Sequence, residues 1–318
     1  LGEAHGGVFE TMTNALAATK KTPDVAFMGD SMTQQGVDPE VVERKLSYST
    51  GEDIRAFNAA SSRARWGINK MMVKYMVKVD RVPDVVVLVI STRAAEGDEF
   101  YKEDPAHAPF SSVVEGCDRE ESKTWTKDDE EQCRKDNRDL RVRYRESGAQ
   151  VARARAGKKA NTSVLVDEKS ALRSDGMLLH PSMSEAEVQK ASDQRTKRGF
   201  PGFPRVEDQA VRDFGETKEI LEAHGANVIS TEIPYSPPHQ KNLESFGEYD
   251  EKRQDAAKEL SGRNDVEHFP VDSYGSWWGD GDSRDAIHLA PQGAASFTAQ
   301  LLDDTPGFKE AVEDGIED

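Results

Sequence analysis

Two cysteines in 318 residues are too few for a disulfide-stapled scaffold or a four-cysteine zinc site. Basic residues are short as well: 42 Lys and Arg stand against 59 Asp and Glu, a formal net charge of −17. That balance excludes a general nucleic-acid binder, whose phosphate contacts need surplus cations. No apolar run approaches the ~20 residues of a membrane-spanning helix. The seven histidines lack the spacing of a zinc site. Asp280, Asp282 and Asp285 lie close together, but the EF-hand pattern is absent, and no cofactor is expected. The chain starts at Leu1 rather than methionine, from which we expect a signal peptide or anchor to have been removed and an extracellular or cell-surface location.

What is present is a strand–helix alternation. Val8, Phe9, Met12, Ala15 and Leu16 recur at helical spacing, and Val25–Gly29 reads as a short buried strand that runs into Asp30 and Ser31. Asp38-Pro39-Glu40 opens a helix, with Asp38 as N-cap and Pro39 in its first turn. Ile54–Ala60 reads as a second strand, and a helical stripe follows from Ile68 to Val79. Val85–Ile90, six apolar residues in a row, predicts a strand covered on both faces. The alternation resumes with a helix over 206–221 capped by Gly225, strands at Asn227–Ile233 and Val266–Val271, and a last helix from Pro291. These elements predict right-handed βαβ units in an α/β sandwich.

Residues 97–202 are not needed by that sheet. A structureless loop of 106 residues does not suit a compact domain, so they read as an inserted, mostly helical subdomain or lid between strands three and four. Residues 1–96 and 203–318 then make up the α/β domain. Within the insertion, Arg134–Lys159 carries ten basic and three acidic residues, either a solvated arm or a docking surface for an anionic partner. Cys117 and Cys133 lie 16 apart there; an exported chain would pair them, a cytosolic one would leave two thiols.

Ser31 follows the first strand at its C-terminal end, where open parallel sheets place ligands. A nucleophilic serine needs a base, and the base needs an orienting carboxylate. Asp285-Ala286-Ile287-His288 offers both, three residues apart. Donors for an oxyanion are expected at the ends of the next two strands, Phe57-Asn58-Ala59-Ala60 and Ser91-Thr92-Arg93. Gly281-Asp282-Ser283 repeats the tripeptide of Gly29-Asp30-Ser31 with no strand before it, and reads as a chance repeat.

Gly29-Asp30-Ser31, Phe57-Asn58-Ala59-Ala60 and Asp285-x-x-His288 together resemble the SGNH (GDSL-type) hydrolase superfamily, over roughly residues 22–96 and 204–303. The resemblance implies a three-layer α/β/α sandwich on a five-stranded parallel, flavodoxin-like sheet, and carboxylic-ester chemistry. By position, Ser31 is the nucleophile, His288 the base and Asp285 its orienter, with the N–H groups of Ser31 and Ala60 and the Arg93 guanidinium as oxyanion donors. Two positions depart from the pattern: Ala60 replaces a glycine and Arg93 an asparagine, and Arg93 is equally suited to an ion pair with Asp30. Gly36–Glu40, Ile233–Pro238 and Trp277-Trp278-Gly279-Asp280 are similar to the cell-surface branch, the proteins of alginate O-acetylation and D-alanyl-lipoteichoic-acid transfer. That branch implies an acyl-ester or glycan substrate and a membrane-bound O-acyltransferase partner. Asp30, Asn58, Tyr235, Trp277 and Trp278 are the expected substrate contacts, the two tryptophans by stacking on sugar faces. The sequence leaves hydrolysis and transfer open. It also leaves a second class of function, a glycan-binding or scaffold protein that retains the fold without turnover.

Overall fold

The computed structural model describes residues 13, 15–17, 19, 21–91, 126–127, 131, 163–165, 171–173, 175–199, 202–271 and 278–317. Five parallel strands form the central sheet: β1 (Val25–Met28), β2 (Ala56–Asn58), β3 (Val85–Ile90), β7 (Asn227–Glu232) and β8 (Glu267–Phe269). Their spatial order is β2-β1-β3-β7-β8, so the first, second, third, fourth and fifth parallel strands stand in the flavodoxin-like order 2-1-3-4-5.

The pleat sends alternate residues of each strand to opposite faces, and both faces are covered. Ala26, Met28, Val86, Leu88 and Val228 pack under α3 (Trp66–Lys78), α5 (Asp208–Glu222) and α7 (Tyr249–Gly262). Val25, Phe27, Val85, Val87, Val89 and Ile229 pack under α2 (Pro39–Thr50), α8 (Pro291–Asp304) and α9 (Phe308–Glu317). All six residues of β3 are buried, as its unbroken apolar run predicts. The result is a three-layer α/β/α sandwich.

Local chemistry fixes several boundaries. Asp38 caps α2 by accepting from the Glu40 N–H (3.1 Å), with Pro39 at the first helical position. Strand β2 is shorter than the expected Ile54–Ala60, because it pairs with β1 only through Ala56, Phe57 and Asn58. Helix α5 ends at Glu222 with Ala223 as its C-cap, and Gly225 takes its positive φ of 86° in the turn beyond. Four helices of the α/β domain exceed the sequence expectation: α1 (Ser31–Gly36), α6 (Pro237–Glu244), α7 and α9.

The described part of the insertion holds an antiparallel sheet, β4 (Ser163–Leu165), β5 (Ala171–Arg173) and β6 (Leu178–Leu179), followed by α4 (Glu185–Lys197). A complete capping box, Ser184 with Glu187, starts α4. Cys117, Cys133 and the basic stretch Arg134–Lys159 lie outside the described residues.

Candidate active site

Strand β1 delivers the chain through Gly29 and Asp30 into α1 (Ser31–Gly36). The corner is tight: a Cβ on Gly29 would lie 2.2 Å from Thr33 Oγ1 and 2.9 Å from the Val89 carbonyl oxygen. Asp30 is buried and each of its carboxylate oxygens accepts a hydrogen bond. Oδ1 accepts the Met32 N–H (2.8 Å), capping α1, and Oδ2 accepts the Ser91 hydroxyl (2.7 Å) at the end of β3. Ser31 is thereby fixed as the first residue of α1, where its own N–H has no acceptor within the helix.

The partner side chains come from a loop just before α8. Gly293 lets that helix close on the loop, since a Cβ there would lie 2.0 Å from the Asp282 carbonyl oxygen. Asp282 in turn accepts from the Ala290 and Gly279 N–H groups, and the Arg284 N–H donates to the His288 carbonyl (3.0 Å). Ser283, in the second Gly-Asp-Ser tripeptide, accepts from Trp278 Nε1 (3.1 Å) and is fully buried. That tripeptide braces the loop and offers no second nucleophile.

So held, the loop brings His288 Nε2 to 2.9 Å from Ser31 Oγ, and His288 Nδ1 to 2.9 and 3.1 Å from the two oxygens of Asp285. Asp285 Oδ1 also accepts the backbone N–H groups of Ile287 (2.8 Å) and His288 (3.0 Å). Burial alone would raise the Asp285 carboxyl, but the imidazole and those two N–H groups outweigh it and hold the group well below the usual carboxylate range. Asp285 is therefore ionised wherever the fold is working. It fixes the proton on Nδ1 and leaves Nε2 to face the hydroxyl as an acceptor. A serine, an imidazole and a carboxylate in this arrangement can activate the hydroxyl for attack on an acyl carbon.

The strand ends beside Ser31 are more occupied than the sequence suggests. Asn58 is fully buried; its Nδ2 donates to the carbonyls of Thr33 and Val37 (both 2.9 Å), and its Oδ1 accepts the Ala60 N–H at 3.2 Å. Both side chains expected to contact substrate, Asp30 and Asn58, are buried here, and the hydrogen bonds they make pin α1 to the ends of β3 and β2. Ala60 keeps its place at the strand end, with an N–H whose long bond can be shared with a second acceptor. Tyr235 is 7% exposed: its ring lies edge-on to His239 (5.2 Å between centroids) and stacks near Tyr249, inside the core. Trp278 is half-buried, with its N–H committed to Ser283. Arg93 and Trp277 lie outside the described residues.

Sequence reasoning missed His239. It is buried at the start of α6, with Nδ1 3.2 Å from the Ser192 hydroxyl. Burial and the Arg195 charge push it down to about 4, against the opposing charge of Asp285. The ring is a neutral packing element beside the acid–base loop. A histidine between two prolines and a polar helix face gave no periodic signal that could have found it. Among the described residues no cluster of three or more His, Cys, Asp or Glu side chains can hold a metal ion. No family model matches the chain, and no curated protein matches it.

Proposed function

We propose that this chain is a serine-dependent acyl-ester hydrolase or O-acyltransferase of the SGNH type. The observation that carries the reading is the unbroken line from Ser31 Oγ through the His288 ring to Asp285, its two hydrogen bonds each 2.9 Å, on the C-terminal rim of a parallel sheet. In the proposed cycle Ser31 Oγ attacks an ester carbonyl carbon while its proton passes to His288 Nε2. The carbonyl oxygen becomes an oxyanion, held by the Ser31 N–H and by the Ala60 N–H as it shares its bond with Asn58. Collapse expels the alcohol, which takes the proton back from His288, and leaves the acyl group on Ser31. Water, or an acceptor hydroxyl, then attacks the acyl carbon with His288 as base and regenerates the serine. Asp285 stabilises the imidazolium in both halves without taking the proton.

The resemblance of Gly36–Glu40, Ile233–Pro238 and the Trp277-Trp278 region to the cell-surface branch supports an acyl ester of a surface polysaccharide as substrate. The same resemblance supports an extracellular site of action beside a membrane-bound O-acyltransferase. The non-catalytic reading has one observation in its favour: the Ala60 N–H already has an acceptor in Asn58. Hydrolysis of p-nitrophenyl acetate by the wild type and by Ser31→Ala separates the two. We expect a loss of at least about 10³-fold in Ser31→Ala; equal rates would leave glycan binding without turnover as the function.

A further inference from the structure

The two halves of this site come from distant parts of the chain, and one stretch of the insertion touches both. On the nucleophile side, the turn between β5 and β6 closes over the outer edge of β2. The Asp175 carbonyl accepts the Asn58 N–H at 2.7 Å, and Gly176, with φ of 91°, sits so close that a Cβ would lie 1.9 Å from the Asn58 carbonyl oxygen. Arg173 locks this turn. It donates to both oxygens of Asp175 (2.9 and 2.8 Å) and bonds Asp38, the cap of α2. Asn58 is the residue whose carboxamide ties α1 to the Ala60 strand end, so the turn bears directly on the frame around Ser31.

On the acid–base side the same stretch runs on to His180 and Met183. The Met183 N–H donates to the Ser283 carbonyl (2.7 Å), the Gly281 N–H donates to the Met183 carbonyl (3.3 Å), and the Glu185 N–H donates to Asp280 (2.8 Å). His180 Nε2 lies 2.8 Å from Arg284 Nη1, which also donates to Gln35 Oε1 at 2.9 Å. A guanidinium has only donors, so Nε2 is the unprotonated nitrogen and accepts. Gln35 lies one helical turn from Ser31 on α1, and Arg284 lies four residues before His288. The Arg284–Gln35 contact therefore runs beside the His288–Ser31 contact, and His180 orients the arginine that makes it.

We propose that Arg173 and residues 175–185 act as a splint that sets the distance between Ser31 and His288, with His180 and Arg173 as positioning residues. This rests on the catalytic reading above. The splint touches neither the acyl carbon nor the Asp285–His288 pair; it holds the nucleophile helix and the acid–base loop in register. A misplacement of about an ångström at such a distance from the chemistry costs up to ~10²-fold in rate.

The test compares His180→Gln with His180→Asn. A glutamine amide oxygen reaches the position of imidazole Nε2, whereas the shorter asparagine reaches only that of Nδ1. We expect His180→Gln to keep kcat for p-nitrophenyl acetate within about twofold of wild type, and His180→Asn to lose about tenfold. KM and the unfolding midpoint should match between the two variants. The downfield proton resonance of the Asp285–His288 hydrogen bond should persist in both, because that pair lies within one turn. As a second arm, Arg173→Lys keeps the cation but loses the fork, and should lower kcat with KM unchanged. Equal kcat in the two His180 variants, or a loss confined to KM, overturns the splint while leaving the catalytic reading standing. A wild type without Ser31-dependent turnover overturns the catalytic reading instead.

Discussion

Asp285 and Glu43 show how one chemical group, the carboxyl, is driven in opposite directions by its surroundings. Asp285 collects an imidazole and two backbone N–H groups and stays ionised. Glu43, on α2, is pushed up to about 7, chiefly by burial and further by the charges of Asp175 and Glu40, against the Ala56 N–H and Arg173. Its folded state therefore holds a proton that the unfolded chain has released, and stability falls as pH rises from about 4.5 to about 7. At about 1.4 kcal/mol per pH unit over that span, Glu43→Gln should stabilise the protein by up to about 3 kcal/mol at pH 8 and by little at pH 4.5. Urea unfolding at the two pH values checks this; an equal effect at both would contradict it. His239 contributes with the opposite sign. Pushed down to about 4, it takes up a proton more readily in the unfolded chain, so its share of stability is lost as pH falls from 6.5 toward 4.

At the scale of elements, the corner between β1 and α1 is the most demanding piece of backbone in the site. Gly29→Ala places a methyl against Thr33 and the Val89 carbonyl, and the strand end or the helix must shift. We expect a destabilisation of about 1–3 kcal/mol in urea unfolding, together with a fall in kcat that exceeds the fall in stability, because Ser31 is two residues away. A variant destabilised this far with wild-type kcat would show that the corner serves folding alone. The same scale shows what the sequence could reveal. Val85–Ile90 is apolar at every position because helices cover both faces, and that burial is visible as an unbroken run. Gly29-Asp30-Ser31 and Asp285-x-x-His288 were legible because each half of the triad is local in sequence. Helix α7 was not, because Arg253 interrupts its buried face between Tyr249 and the run of Ala256, Ala257 and Leu260, and so breaks the apolar stripe. Helix α6 was hidden by Pro237 and Pro238, which open the helix rather than break it. The parts played by Asn58, Arg173 and His180 were illegible for another reason. Their partners lie far along the chain, and no local pattern records such a contact.

At the scale of the molecule, the sheet is stabilised by apolar faces and by a buried charge pair at its rim. Glu232, at the end of β7, is fully buried and meets Arg253 of α7; the guanidinium also donates to the Val271 carbonyl (3.1 Å) and to Asp250 (2.8 Å). Removing the cation alone takes from the buried Glu232 carboxylate its guanidinium partner, so Arg253→Met should cost about 3–5 kcal/mol in equilibrium unfolding. Joining it to Glu232→Leu should recover most of that loss; a double variant no more stable than the single would mean that packing at the rim, and not charge, sets the cost.

The proposed function requires an acyl group to pass through Ser31, and mass spectrometry of the peptide carrying that residue reads this most directly. After brief incubation with p-nitrophenyl acetate and an acid quench, the account predicts an acetyl mass increment on Ser31 in the wild type. The increment should disappear from that peptide in Ser31→Ala. Turnover that depends on Ser31 with no acyl adduct at any quench time, or an increment that persists in Ser31→Ala, would contradict it.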